Sequence, residues 1–405
     1  MLDRARQLDA ADPLGAFRDR FTLPDGVIYL DGNSLGALPR ATPARLEQVV
    51  RGEWGEGLIR SWNSAGWIEA ARRIGGKLAP LIGARPHEVV AVDSTSVNLF
   101  KLIAAALDLR PGRKVILSEP GNFPTDLYMI AGLERQGLAT RRLAPREGLA
   151  GALGEDVALL LLTHVHYKTG AMHDMTALTA AAHAAGALVL WDLSHSCGAL
   201  PVDLNATGAD FAVGCGYKYL CGGPGAPAYA FVAERHHAAL HQPLTGWFGH
   251  AAPFAFSDDF QPAEGIDRLQ CGTAPILGLA ALEVGVDLIA EIGVVRLAEK
   301  SRALSEFFLA CLGERELTLE LASPPESMAR GSQLSFRHPD AYAICQALIA
   351  RGVIGDFRDP DILRLGFAPA YLRFADMAEA ARHLHEVLGS GEWQRPEFRE
   401  RAAVT

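Results

Sequence analysis

The chain has 405 residues, about two to three times a typical domain, so a large core with an appended unit is expected. Hydrophobic residues make up 49% and charged residues 21%, the balance of an ordinary globular protein. A net charge of −9 argues against a nucleic-acid-binding surface, while leaving room for a local cationic pocket that takes a small anion.

The N-terminus, Met1 to Gln7, is charged and lacks the apolar run of a signal peptide. No apolar stretch approaches membrane-spanning length. Six cysteines without C-x-x-C spacing read as reduced, mostly buried thiols, so a cytoplasmic protein that neither crosses nor binds a membrane is expected.

After a polar helix, Val27 to Leu30 reads as a short strand ending in the turn Asp31-Gly32-Asn33-Ser34-Leu35-Gly36. Helical patterns follow at about 43–54 and 67–82. From about 87 to 233 strand and helix alternate, the sign of a mostly parallel sheet covered on both faces. The predicted strands are 89–92, 115–118, 158–163, 188–191, 211–213 and 229–232, with helices at 96–107, 125–136 and 175–185 between them. Helices at about 275–290 and 292–311 lead to strands near 333–337 and 362–368 and helices at 340–350 and 375–388. The expected architecture is therefore α/β. A large sheet domain spans 57–290, and a smaller α+β domain is built from both chain ends, 1–56 and 291–405.

Chemistry concentrates at the ends of the predicted strands. The strand Leu188 to Trp191 runs into Asp192, where open α/β sheets place their ligands, and His195 follows three residues later. Asp192 reads either as a turn cap or as the carboxylate that holds a pyridine nitrogen protonated. His195 reads as a cofactor contact or as a satisfied core histidine. Lysine is scarce, with Lys77, Lys101, Lys114, Lys168, Lys218 and Lys300 as the full set. Lys77, Lys101 and Lys300 fall in helical patterns and read as solvated faces, whereas Lys218 stands between Gly216 and the turn Gly222 to Gly225. Only there can the backbone approach a ligand closely on both sides. An acid at a strand end with a glycine-flanked lysine 26 positions on suits a pyridoxal phosphate (PLP) enzyme, in which lysine is the covalent anchor.

Asp93-Ser94-Thr95-Ser96 links a strand to a helix and offers first-turn amides and hydroxyls to a phosphate, or simply an N-cap. Tyr217 could add a hydrogen bond there or be packing. Phe123-Pro124-Thr125-Asp126 is a good helix start, and equally a place for a ring-stacking Phe123 with Asp126 near the ring substituents. His164-x-His166 puts two imidazoles on one strand face but lacks a second ligand pair, so no metal is expected. Lys168-Thr169-Gly170 has no accompanying Ser-x-x-Lys, and the glycines at 222–225 precede a strand rather than a helix, which removes a dinucleotide loop.

Tyr29-Leu30-Asp31-Gly32-Asn33-Ser34-Leu35-Gly36 resembles the N-terminal signature of the kynureninases. Phe123-Pro124-Thr125-Asp126, Asp192-Leu193-Ser194-His195, Tyr217-Lys218 and Gly272-Thr273-Ala274-Pro275 are similar to that family's later blocks. The resemblance runs over nearly the whole chain. It implies a fold-type-I PLP-dependent transferase architecture, with a seven-stranded, mostly parallel large sheet, and a homodimer whose active sites are shared across the interface. The implied reaction is hydrolytic Cβ–Cγ cleavage of L-kynurenine to anthranilate and L-alanine, in tryptophan catabolism. Lys218, Tyr217 and Asp192 are then the catalytic residues. Thr95, Ser96 and Tyr217 would hold phosphate, with Trp247 and Thr273 reaching from the second copy. Phe123, Asp126, Thr163, Asp192 and His195 would surround the ring. Arg364 would bind the substrate α-carboxylate, a task suited to a planar guanidinium, with Ser34, Asn33, Trp62 and Gly272 also at the substrate. Trp62 and Gly272-Thr273 resemble the bacterial form, which favours L-kynurenine over its 3-hydroxylated relative.

The nearest alternative is another class-V PLP enzyme, a cysteine desulfurase or an aminotransferase. A desulfurase needs a cysteine in a mobile loop. The loop 323–332 has none, and Cys345 lies in an apolar helical pattern. A catalytically silent PLP-binding regulator would carry a degraded lysine or acid, or a DNA-binding module, and neither is present.

Overall fold

A computed structural model describes residues 1–313 and 318–401. Its centre is a seven-stranded sheet in the spatial order Val89–Ala91, Tyr229–Val232, Phe211–Gly214, Leu188–Asp192, Val157–Thr163, Val115–Ser118 and Thr140–Leu143. Only Tyr229–Val232 runs against its neighbours. The inner strands are buried on both faces, which is why Val157–Thr163 reads as an unbroken apolar run instead of an alternating one. One sheet face carries Leu99, Ile103, Ile130 and Leu133 from the helices Thr95–Leu109 and Pro124–Arg135. The other face is covered by a larger core that continues into the C-terminal part.

The sequence reading gave six of the seven strands. Thr140–Leu143 escaped it because an edge strand with Arg141 and Arg142 has no buried face to pattern. The second unit is a four-stranded sheet with Gln333–Arg337 and Ile362–Gly366 at its middle, packed against Ala341–Ala350, which Phe374–Ser390 flanks. Ile28–Tyr29 pairs in parallel with Val353–Ile354, and Asp31 bridges Gly366, so the N-terminal segment adds to the C-terminal part.

The expected helix at 43–54 is a short α-helix, Thr42–Glu47, which widens over Gln48–Gly57. Two of the three lysines read as solvated are not. Lys101 is fully buried, with its ammonium on Asp93 and the Leu269 carbonyl, and Lys300 is buried 2.6 Å from Asp12. In both cases an acid supplies the counter-charge that burial requires, from just ahead of the same helix for Lys101 and from the N-terminal segment for Lys300. Among the described residues, no helix is long and apolar enough to cross a membrane.

Candidate active site

A cavity of about 560 Å³ opens at the carboxyl ends of the central strands and meets the lysine turn and the start of the helix Thr95–Leu109. Lys218 reaches into it and is 8% exposed, with Nζ 3.0 Å from His195 Nε2 and 5.7 Å from the centre of the Phe123 ring. Asp192 and Thr163 pair in register on adjacent strands, which brings both side chains to the same sheet edge. The Asp192 carboxylate accepts the Ser194 amide at 2.7 Å, so it caps the turn while lining the cavity.

The electrostatics follow from burial. Asp192 is pushed above the usual carboxylate range by desolvation, against the pull of the Ser194 hydrogen bonds and Lys218. Asp126 is raised well above it, first by burial and then by the charge of Asp192. His195 is driven well below the usual imidazole value by burial and by the nearby charges of Lys218, Arg364 and Arg358. Tyr217 is raised by burial, helped by Cys215 and Asp192, and therefore keeps its proton. Three buried polar atoms here have no hydrogen-bond partner: His195 Nδ1, Thr163 Oγ1 and Asp126 Oδ1. Buried polar atoms are nearly always paired, so the orphans on His195 and Thr163, which both line the cavity, mark a place built for a polar ligand, while Asp126 is fully buried behind the lining.

The start of the helix Thr95–Leu109 also borders the cavity. Ser94 accepts the Val97 amide and so does the capping, which leaves Thr95 and Ser96 facing the cavity without that duty. Asp93, just before them, has φ +48° and is tied to Lys101, a strained turn that fixes where the helix begins. Phe123, Tyr217 and Thr273 border the same cavity. Thr273 therefore lies at the cavity of its own chain, whereas Trp247, also expected from across an interface, does not line it and is 40% exposed.

Other expected residues lie elsewhere. Asn33 is fully buried, with Nδ2 3.5 Å from Gln333 Oε1 and its side chain pressed on Gly366, outside the cavity lining. Trp62 packs edge-on to Trp67 at 5.8 Å and beside Phe248, which touches Trp247; exposed Gly272 also lies off the cavity lining. Arg364 is 1% exposed behind Tyr167, which lines the cavity and meets Phe123 edge to face. Its Nε donates to Asp356 at 2.7 Å, its Nη1 to the Tyr167 carbonyl at 2.7 Å, and its Nη2 to Ser34 Oγ at 2.8 Å and to Asp356.

His164 and His166 lie past the strand end at Thr163, where they bond Ser196 and the Gly121 carbonyl. No group of metal-binding side chains exists among the described residues. Sequence reasoning missed Asn122, whose Oδ1 accepts the amides of Phe123 and Thr163 and so pins the helix start to the central strand. It also missed Asp356 and Arg358. The only signal for them was charge alternating with apolar residues in Gly355-Asp356-Phe357-Arg358 ahead of the Arg364 strand.

The same arrangement of chain and sheet is found in a cysteine desulfurase from Thermococcus onnurineus NA1. The TM-score is 0.78 at 20% identity, covering 93% of this chain and 98% of that one. It is also found in C-DES with glycine covalently linked to its PLP cofactor, with a TM-score of 0.79 at 18% identity, covering 91% and 98%. The fold is thus that of the fold-type-I PLP-dependent enzymes. Residues 297–384 match the model of the kynureninase C-terminal domain. Kynureninase of Burkholderia mallei (strain ATCC 23344) is 52% identical over 100% of this chain and 99% of its own length. Kynureninase of Pseudomonas fluorescens is 50% identical over 98% of each. The chain belongs to the kynureninase family.

Proposed function

We propose that this chain is a PLP-dependent hydrolase that cleaves the Cβ–Cγ bond of L-kynurenine to give anthranilate and L-alanine. The observation that carries this reading is Lys218 Nζ in a polar cavity with Asp192 and His195, in a chain half identical to kynureninases along its full length. The cavity fits the cofactor, because its orphaned polar atoms and free helix-start hydroxyls match a ring with polar substituents and a phosphate.

When bound, pyridoxal 5′-phosphate supplies an aldehyde to capture the substrate amine and a ring that accepts electron density from Cα. Lys218 would anchor it and, once displaced by substrate, move the Cα proton. Asp192 would accept from the ring nitrogen. That contact would add a second positive neighbour beside Lys218 and so lower its raised pKa. Phe123 would lie against the ring, with His195, Thr163 and Asp126 at its polar edge, while Thr95, Ser96 and Tyr217 would hold the phosphate. Tyr217 remains protonated and can donate a proton to the fragment that leaves as alanine. Arg364 would receive the α-carboxylate, with Ser34 beside it. Hydrolysis adds one water across the broken bond: hydroxyl to the anthranilate carboxyl carbon, hydrogen to the alanine methyl.

The reading extends to a cytoplasmic homodimer in which Trp247 and Trp62 serve the neighbouring copy's cavity. The exposed aromatic surface of Trp247, Phe254 and Phe256 supports it. Movement between residues 57–290 and the unit formed by 1–56 and 291–405 would bring Arg364 to the substrate.

The test is direct. Purified protein with PLP and L-kynurenine should generate anthranilate fluorescence and equimolar alanine, and 3-hydroxykynurenine should react more slowly. No anthranilate, or turnover only when a keto acid is added, would overturn the proposal.

A further inference from the structure

Arg364 cannot offer a free fork to a carboxylate. A guanidinium has five N–H groups, and here the Nε–Nη2 edge is taken by Asp356, the other Nη2 hydrogen by Ser34, and one Nη1 hydrogen by the Tyr167 carbonyl. One donor remains, on a residue that is 1% exposed.

A second guanidinium stands beside it. Arg358 Nη2 donates to the same Ser34 hydroxyl at 3.1 Å and lies 2.7 Å from Asp356, so Ser34 Oγ bridges the two arginines. Unlike Arg364, Arg358 keeps a third of its side chain exposed. The charges of both reach His195, the residue bonded to Lys218.

Asp356 is held below the usual carboxylate range: burial opposes this, but Arg364 and then Arg358 outweigh it. Asp31, which faces it, is pushed upward by burial and by the charge of Asp356. The remaining groups facing the cluster, Tyr29, Tyr167, Tyr219 and Cys345, are all shifted upward, mainly by burial, and stay uncharged. Two guanidiniums therefore share Asp356 as their common ion-pair partner, and an incoming carboxylate would supply them with a second.

We propose that Arg358 is the second cation of the substrate-carboxylate subsite, reaching one carboxylate oxygen while Arg364 reaches the other. Asp356 is the positioning residue that holds both guanidiniums. Ser34 Oγ, which accepts from both and donates to Asp356, holds the two guanidiniums side by side. The inference rests on the reading of this chain as a kynurenine-cleaving enzyme, and deepens it.

The experiment uses the holoenzyme with L-kynurenine and its uncharged α-carboxamide, comparing wild type with Arg358→Lys, Arg358→Met and Asp356→Asn. Arg358→Met should raise KM for L-kynurenine roughly ten- to thirty-fold, the size of a lost charge-assisted hydrogen bond. The loss should fall on KM more than on kcat. Binding of the carboxamide, read by calorimetry, should be little altered, and Arg358→Lys should restore part of the loss. Asp356→Asn should raise KM without abolishing cofactor binding, read from the visible absorbance. Equal weakening of acid and carboxamide would make Arg358 merely structural and overturn the proposal, as would an unchanged KM in Arg358→Met. Failure of the wild type to release anthranilate would instead overturn the function.

Discussion

The contact between Lys218 and His195 fixes more than a distance. Two basic nitrogens 3.0 Å apart cannot both carry a proton toward each other, and His195 is held neutral by burial and by the charge of Lys218. Its Nε2 is then the acceptor, which assigns the ring hydrogen to Nδ1, the atom left without a partner. Gln333 is the side chain that interacts with this imidazole, but not in a geometry that satisfies Nδ1, and a ligand acceptor would complete the bond, worth about 1–3 kcal/mol. Replacing Lys218 with alanine should abolish the visible band of covalently held cofactor and lower kcat by at least about a thousand-fold. A normal spectrum in that variant would refute the anchor. Lys218 could be read from sequence because glycines on both sides are a local signal. The environments of Lys101 and Lys300 could not. Each looks like a solvated helix position until tertiary packing brings up Asp93 with the Leu269 carbonyl, or Asp12. Asp356 and Arg358 were hidden for the same reason, since their meaning comes from Arg364 and Ser34.

Among the elements, the turn after Ile28–Tyr29 joins the chain ends to the lysine. The Gly36 amide donates to the Tyr217 carbonyl at 2.8 Å, and a Cβ at Gly36 would sit 2.2 Å from the Lys218 carbonyl oxygen and 2.8 Å from Cys221 Cα. Both are backbone atoms that cannot swing aside. Gly32 is also close-packed, with a Cβ there meeting the Tyr371 hydroxyl at 2.7 Å and Ala368 Cβ at 2.8 Å. The Asp31 to Gly36 turn is therefore in large part a packing device that seats the N-terminal segment on the lysine turn. Gly36→Ala should displace that turn, costing about 1–3 kcal/mol of stability as overpacking does, together with much of the activity. Gly52→Ala, where an added methyl meets nothing within 4 Å, should leave both unchanged. Thermal unfolding and turnover of the two variants check this, and equal Tm values would sink it. The buried strands were legible because burial on both faces forces continuous apolar runs. The edge strand Thr140–Leu143 and the two-residue strands were not, because their register is set by partners elsewhere in the chain.

At the scale of the whole molecule, the sheet brings its ligand-bearing ends to one edge and ties its other parts with buried ions. Asp210 is the clearest of these. It is 1% exposed, accepts the Val189 amide at 2.8 Å and faces His183, His236 and Arg235. Burial alone would raise its pKa, but these partners win and bring it down to about 2. A carboxyl whose folded pKa lies below its unfolded value stabilises the protein above the unfolded value, near 4, and loses that contribution as pH falls through the folded one. The shift corresponds to about 2 kcal/mol, present at neutral pH and lost between roughly pH 4 and pH 2. Asp210→Asn should therefore lower stability at pH 7 by about that amount and flatten the acid limb of the stability curve. Denaturant titrations of both proteins at a series of pH values measure it. Because Asp210 lies at the end of the sheet remote from Lys218, the cofactor's visible band in this variant should match that of wild type at pH 7. A parallel acid limb in the two proteins would show that the ionisation of Asp210 is not what the fold loses in acid.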